Sequence, residues 1–289
     1  MIKELTAQQI IDRIRVECGD TWRTSAADVF NCGNPDTIIT GIVTSYTPSI
    51  DVLQRAVTAG KNLLITQQPA FYGETGAYLA KDPAYLFKKE FIEKNNLVIW
   101  RFYDNWMARR MDGQLLGLAK ALGWEKYHLP PDRRESAAAF DDPAYASTNN
   151  YFILPETSLR EIIPYVEQKL DIKGIRVIGD PATKIRKVAV SHGMFQFSQL
   201  LRFLSVPDVD LILVAEAIEW ESPEYFRDLL TWKGNDKAMI LLGREASEDP
   251  GYGVVASWLK TFIPEVPIEW FSAGEPFWVP SAPSANLLR

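Results

Sequence analysis

The stretch Thr37–Tyr72, TIITGIVTSYTPSIDVLQRAVTAGKNLLITQQPAFY, constrains this chain more than any other. Thr37–Tyr46 is rich in β-branched residues, Pro48–Ala59 places Ile50, Leu53 and Val57 at helical spacing, and Asn62–Thr66 is a short apolar run. Strand, helix and strand at this spacing form a crossover unit, which joins parallel strands. Ligands of such sheets gather at the carboxyl ends of the strands, and Gln67-Gln68-Pro69 falls at one of those ends. Two neutral carboxamides can hydrogen-bond there but are poor ligands for divalent metals and no proton shuttle. A plain polar exit from the strand fits the same residues equally well.

The rest of the chain repeats this rhythm. Thr6–Arg15 carries Ile10, Ile11 and Ile14 at helical spacing behind a capping Thr. Asp20–Pro35 reads as loop, Gly73–Pro83 as loop, Ala84–Asn95 as helix, Leu97–Tyr103 as strand, and Gly113–Leu122 as a helix stopped by Gly123. Lys126–Asn150, with Pro130-Pro131, a run of charges and DDPAYASTNN, reads as the boundary between two halves. YFILPE restarts the pattern as a strand, and Ser158–Leu170 follows as a helix that Pro164 should kink or shorten. Gly174–Ile178, Lys187–Ser191, Leu211–Ala215 and Lys237–Leu242 are strand candidates, with helices at Phe195–Leu204 and Pro223–Trp232. Pro250–Phe262 adds a last helix and Val266–Phe271 a last strand. Alternation of this kind gives an α/β class with mostly parallel or mixed sheets.

With 289 residues, 47% of them hydrophobic, the chain can bury one large core or two medium ones, and two domains are expected. A net charge of -6 argues against nucleic acid as a partner, because phosphate binding needs a basic surface. No apolar run reaches the ~18 residues of a membrane span, and MIKELTAQQIIDRIR has no secretory apolar region; a cytoplasmic protein with no membrane partner is expected. Cys18 and Cys32 make no disulfide framework and read as reduced thiols. Only two histidines exist, His128 and His192, which excludes a zinc or iron site with several imidazole ligands. His128 sits in the charged stretch KYHLPPDRRES and reads as solvated, whereas His192, after RKVAVS, is a possible site residue.

Four stretches taken together, GIVTSYTPSIDVLQRAVTAGKNLLITQQP, VIWRFYDNWMARRMDG, ILVAEAIEWESPEYFRDL and KAMILLGREASEDPG, with the ending VPIEW and AGEPFW, resemble one family. They are similar to the Nif-three-like proteins, also described as dinuclear-metal-centre hexameric proteins or GTP cyclohydrolase I type 2 homologs. That family carries His-His-Pro or His-Glu-Pro where this chain has Gln67-Gln68-Pro69. Its second metal stretch resembles RFHDHWH where this chain has Arg101-Phe102-Tyr103-Asp104-Asn105-Trp106-Met107. The third is Gly-His with a Glu four residues on, against Gly243-Arg244 with Glu248 retained. Every expected histidine is thus replaced, by Gln67, Tyr103, Asn105, Met107 and Arg244.

Two linked α/β domains are expected, residues 1–126 and 127–249, with 250–280 completing the first as the family pattern requires and the small-residue stretch 281–289 as a mobile tail. The resemblance implies a pocket of Gln67, Gln68, Tyr103, Asp104, Met107, Arg244 and Glu248, in which Arg244 supplies a fixed positive charge where the family holds a cation. No metal or other cofactor is then expected, and the protein is read as a non-catalytic or small-ligand-binding homolog. The alternative is a cyclohydrolase-like metal-dependent hydrolase, in which Asp104, Glu216, Glu219 and Glu248 hold Mg or Mn, ions that favour oxygen ligands. The nine Trp residues and the family pattern both point to a homo-oligomer, with a hexamer favoured over a dimer.

Overall fold

The computed structural model describes residues 4–71, 81–108, 112–129, 150–206, 208–234 and 236–279. The chain divides into two compact units: Met1–Asn150 with Ser247–Ala273, and Tyr151–Ala246 with Gly274–Arg289. The first division falls at the downstream end of the Lys126–Asn150 stretch rather than at 126, and the return to the first unit begins at Ser247 rather than 250. The expected loop over most of Gly73–Pro83 and the expected tail at 281–289 lie outside the described residues.

In the first unit, α1 (Ala7–Cys18) starts on Thr6, whose hydroxyl accepts from the Gln9 backbone N–H while the Gln9 side chain accepts from that of Thr6. Its Ile10, Ile11 and Ile14 are buried. The crossover unit consists of β2 (Ile42–Ser45), α2 (Ile50–Thr58, capped by Ser49) and β3 (Leu63–Thr66). After α3 (Pro83–Lys94) comes β4 (Val98–Arg101). The sheet order is β1-β4-β3-β2-β11, where β1 is Phe30–Cys32 and β11 is Ile268–Trp270. All neighbours are parallel except β1, which runs antiparallel to β4.

Both faces of this sheet are covered. Val43, Leu64 and Ile99 point into one core with Val52, Leu53 and Ile92. Ile42, Ile65 and Trp100 point into the other, with α1 and the end of the last helix. That explains why these strands read as continuous apolar runs. The three-residue β1 lies inside the span expected to be loop, Asp20–Pro35. It is too short for a periodic signal and gains its pairing from β4.

In the second unit, β6 (Tyr151–Ser158), β8 (Lys184–Phe195), β9 (Leu211–Ala217), β10 (Ala238–Leu241) and β7 (Arg176–Ile178) are neighbours in that order. The pairs β8 with β9 and β9 with β10 are parallel, whereas β6 with β8 and β7 with β10 are antiparallel. The sheets of both units are therefore mixed, as the sequence pattern implies. Phe203, Phe226 and Met239 anchor its core, supplied by α7 (Phe197–Ser205), α8 (Ser222–Lys233) and β10.

Three further elements complete the description: the four-residue α4 (Asp104–Met107), α5 (Gly113–Leu122), and β5 (His128–Leu129). Two prolines behave unlike their local rule. Helix α6 (Leu159–Leu170) is not shortened by Pro164. The final helix α9 runs Arg244–Leu259 and holds Pro250 in its interior, where a start at Pro250 was expected. Tertiary bonds override the local preference there: Asp249 accepts from the Tyr46 backbone N–H at 3.1 Å and the Tyr252 carbonyl accepts from the Thr44 hydroxyl at 2.7 Å. Among the described residues no helix is long and apolar enough to cross a membrane.

Candidate functional site

The carboxyl ends of β2, β3 and β4 lead directly into Tyr46, Gln67-Gln68 and Phe102-Tyr103, so the sheet delivers three of the singled-out segments to one edge. Gln67 is fully buried, and its backbone carbonyl accepts from Arg101 Nε at 2.9 Å. Its side-chain Oε1 accepts from Nε2 of Gln114, also fully buried, on α5. Gln67 Nε2 and Gln114 Oε1 have no hydrogen-bond partner among the described residues. Two neutral amides thus share one bond in a place from which solvent is excluded, and each keeps one polar atom unsatisfied.

Why Gln114 reaches that point follows from helix packing. A Cβ on Gly117 would stand 2.3 Å from the backbone of Gly251, and a Cβ on Gly251 would overlap the Gln114 carboxamide. Only paired glycines let α5 and α9 approach this closely, the soluble counterpart of small-residue helix crossings. On the same side, the Tyr252 hydroxyl donates to the Phe102 carbonyl at 2.7 Å. Burial, first of all, pushes this phenol well above its ordinary pKa; the nearby Glu248 and Asp28 add to the shift and Arg101 opposes it. It is therefore a fixed neutral donor. Glu248 is itself 1% exposed. Asp249, next to it, has its pKa raised by burial, against the hydrogen bonds it accepts from Ser272, Tyr46, Trp270 and Ala273.

Tyr103 precedes α4, to which Asp104 and Met107 belong, and the start of this helix is organised by a residue 75 positions upstream of Tyr103. Asp28 accepts from the backbone N–H groups of Tyr103 (2.6 Å), Asp104 (3.0 Å) and Asn105 (3.0 Å), and from Asn105 Nδ2 (2.6 Å). These are the orphan donors of a helix N-terminus, and a carboxylate is the strongest group to receive them. Asn105 also exchanges hydrogen bonds with the backbone of Arg23, and the Ser25 hydroxyl donates to the exposed Asp104 carboxylate. The loop before β1 is thus strapped to α4. The Arg101 guanidinium lies 5.9 Å from the Tyr103 ring centroid, Met107 is half-buried, and Gln68 Nε2 donates to the Tyr46 hydroxyl at 3.1 Å.

In the first unit, then, Gln67, Tyr103, Asp104 and Glu248 share one neighbourhood built around Tyr252, Asp28 and Gln114. Arg244 is placed in the second unit, where it faces Glu216 at 3.5 Å with both side chains about a third exposed. Glu219 pairs with Arg176 in the same unit. Exposed pairs of this kind contribute about 0–1 kcal/mol. Among the described residues, no group of three or more His, Cys, Asp or Glu side chains is placed to hold a metal ion. The oxygen donors of the first-unit site are two carboxylates, Asp104 and Glu248, and the Gln67 carboxamide; Gln67 already accepts from Gln114 and Asp104 from Ser25, a sparse set for a dinuclear divalent centre.

Asp28, Gln114, Asp249 and Tyr252 carry much of this geometry and were not singled out from the sequence. Gln114 left a trace, as a polar side chain in the first turn of a helix whose buried residues are otherwise apolar, among them Leu115, Leu118 and Leu122. The GxxxG spacing of Gly113 and Gly117 is a second trace. Asp28 left none, since its partners are distant in the chain.

A model of the Duf34/NIF3 (NGG1p interacting factor 3) family matches residues 20–265. Among solved structures, the chain is similar to a Bacillus cereus protein related to NIF3, with 16% identity, a TM-score of 0.73 and coverage of 96% of this chain and 99% of that one. It is also similar to the Staphylococcus aureus protein SA1388 (12% identity, TM-score 0.71, 95% and 99% covered) and to reduced HcgD from Methanocaldococcus jannaschii (16% identity, TM-score 0.64, 93% and 99% covered). At these identities the likeness establishes the fold. No curated protein matches the chain.

Proposed function

The chain belongs to the Duf34/NIF3 family, and on that premise we propose that it is a member whose dinuclear metal site has become a hydrogen-bonded pocket, so that it acts by binding rather than by metal-dependent catalysis. The observation that carries this reading is the buried Gln67–Gln114 carboxamide pair. It occupies the place where the family resemblance puts a metal-ligating histidine. A neutral amide pair neither attracts a divalent ion nor releases a proton on binding one. The capped α4 adds to the same reading, because its Asp104 is already hydrogen-bonded to Ser25.

The alternative is a metal-dependent hydrolase with Mg or Mn held on Asp104, Glu216, Glu219 and Glu248. The pairing of Glu216 with Arg244 and of Glu219 with Arg176 weighs against it. Calorimetric titration with Zn²⁺, Mg²⁺ and Mn²⁺ distinguishes the two. The binding reading expects no saturable heat, whereas stoichiometric binding lost in Asp104→Ala or Glu248→Ala would establish the hydrolase site instead.

Assembly belongs to the same proposal. The second unit presents Trp220, Trp232, Phe277 and Trp278 each at least 76% exposed, more apolar surface than a monomer usually leaves in water. A homo-oligomer, a hexamer by the family pattern, accounts for it. Sedimentation at micromolar concentration should give a species heavier than the 32.7 kDa chain, and a monomer there would contradict this assembly.

A further inference from the structure

A second concave site lies on the other face of β4 from the residues just described. Trp100 of β4 faces the core that holds Phe102, Trp106 and Tyr252, while Ile99 faces the core under α3. There a cavity of about 430 Å³ opens beside α3, within the range of small-molecule sites. Its apolar wall is an aromatic pair, Phe71 and Tyr85, with ring centroids 4.6 Å apart. Its polar wall is formed by Lys89 and Glu93, with Asn31 and Asn96 adding amide groups.

Tyr85, Lys89 and Glu93 are spaced i, i+4 and i+8, so one face of α3 presents, in steps of about 6 Å, a ring, a cation and an anion. Lys89 Nζ and Glu93 Oε1 are 3.9 Å apart, too loose for a close hydrogen-bonded ion pair, and the two side chains are 53% and 67% exposed. The carboxyl end of α3, beside Glu93, carries the negative end of the helix dipole. Asn31 is held in place, since its Oδ1 accepts from the Ala70 backbone N–H at 3.2 Å.

We propose that this cavity binds an aromatic α-amino acid as its zwitterion. The ring lies against Phe71 and Tyr85, where aromatic contact adds to apolar burial. The ligand's carboxylate meets Lys89, and its ammonium meets Glu93 at the end of α3. A singly charged aromatic ligand leaves one of these two groups opposed or unmatched, so the site selects for both charges at once. This assignment is independent of the reading of the metal-site region. Its residues lie on another face of the sheet, so either can fail alone.

The test is calorimetry on the full chain with three probes: L-phenylalanine, 3-phenylpropanoate, which lacks the ammonium, and 2-phenylethylamine, which lacks the carboxylate. L-Phenylalanine should bind with a Kd on the order of 0.1–1 mM. Each singly charged probe should bind about 10-fold more weakly, the loss of one charge-assisted contact. Glu93→Gln should abolish the preference over 3-phenylpropanoate and Lys89→Gln the preference over 2-phenylethylamine, while Tyr85→Ala weakens all three. Both charged side chains are more than half exposed, so the charge variants keep the fold, which far-ultraviolet circular dichroism checks. Absence of L-phenylalanine binding at about 10 mM, equal binding of all three probes, or binding indifferent to the three substitutions overturns the proposal.

Discussion

Gly117→Ala tests the packing that places Gln114 beside Gln67. The added Cβ would stand 2.3 Å from both the N and the Cα of Gly251 and 2.6 Å from the carbonyl carbon of Pro250, where ordinary contact begins at 3.4 Å. All three are backbone atoms inside α9, so no side chain can swing away, and the two helices must separate. Overpacking of this kind costs about 1–3 kcal/mol. Separation also withdraws Gln114 from Gln67 and breaks their one hydrogen bond, about 1–3 kcal/mol more. Against this stands the gain of about 1 kcal/mol from replacing Gly by Ala within a helix. The sum is a destabilisation of about 1–5 kcal/mol, or a fall in Tm of roughly 2–4 °C per kcal/mol for a unit of this size. Differential scanning calorimetry on the wild type and the variant measures it. A Tm that is unchanged or raised would mean that helix propensity decides the outcome, and the close approach of α5 and α9 would be wrong.

Gln114→Leu alone should destabilise by about 1–3 kcal/mol by leaving the Gln67 amide unpaired, while the double change Gln67→Leu with Gln114→Leu should recover most of that loss; thermal unfolding of the four proteins of the cycle reads the coupling. Asp28→Ala should cost about 1–2 kcal/mol and loosen α4, because its backbone donors lose their acceptor; hydrogen exchange at Tyr103–Asn105 should rise, and unchanged protection there would remove Asp28 from this role. Lys88, on α3, has its pKa lowered from 10.5 to about 8, first by burial and against the opposing effect of Cys32. The unfolded chain therefore holds more protons than the folded one between those values, so this group makes stability rise from pH 8 to 10.5. In Lys88→Met that rise should flatten relative to the wild type in urea unfolding, and parallel pH profiles would contradict it.

Much of the first sheet is legible in the sequence because its strands and helices are governed by local signals. Thr6 and Ser49 cap α1 and α2, and the apolar runs at Val43, Leu64 and Ile99 need both faces covered. What stays hidden is held by partners far apart in the chain. Strand β1 exists because β4 offers it an edge, α4 because Asp28 caps its start, and the first turns of α9 because Tyr46 and Thr44 bind Asp249 and Tyr252. The same holds for the site. Gln67 is conspicuous at the end of β3, but its partner Gln114 becomes significant only once Gly117 and Gly251 bring two helices together. Pro250 misleads for the opposite reason: its strong local preference for a helix start is outweighed by tertiary hydrogen bonds.

The central claim, that side-chain hydrogen bonding has replaced a metal centre at the carboxyl ends of β2, β3 and β4, is tested most directly by anomalous diffraction from crystals of the purified protein equilibrated with Zn²⁺ or Mn²⁺. The account predicts Gln67 still bonded to Gln114 and no anomalous peak within coordination distance of Gln67, Asp104 or Glu248. A peak there at high occupancy, ligated by Asp104 or Glu248 and with the Gln67–Gln114 contact broken, would contradict it.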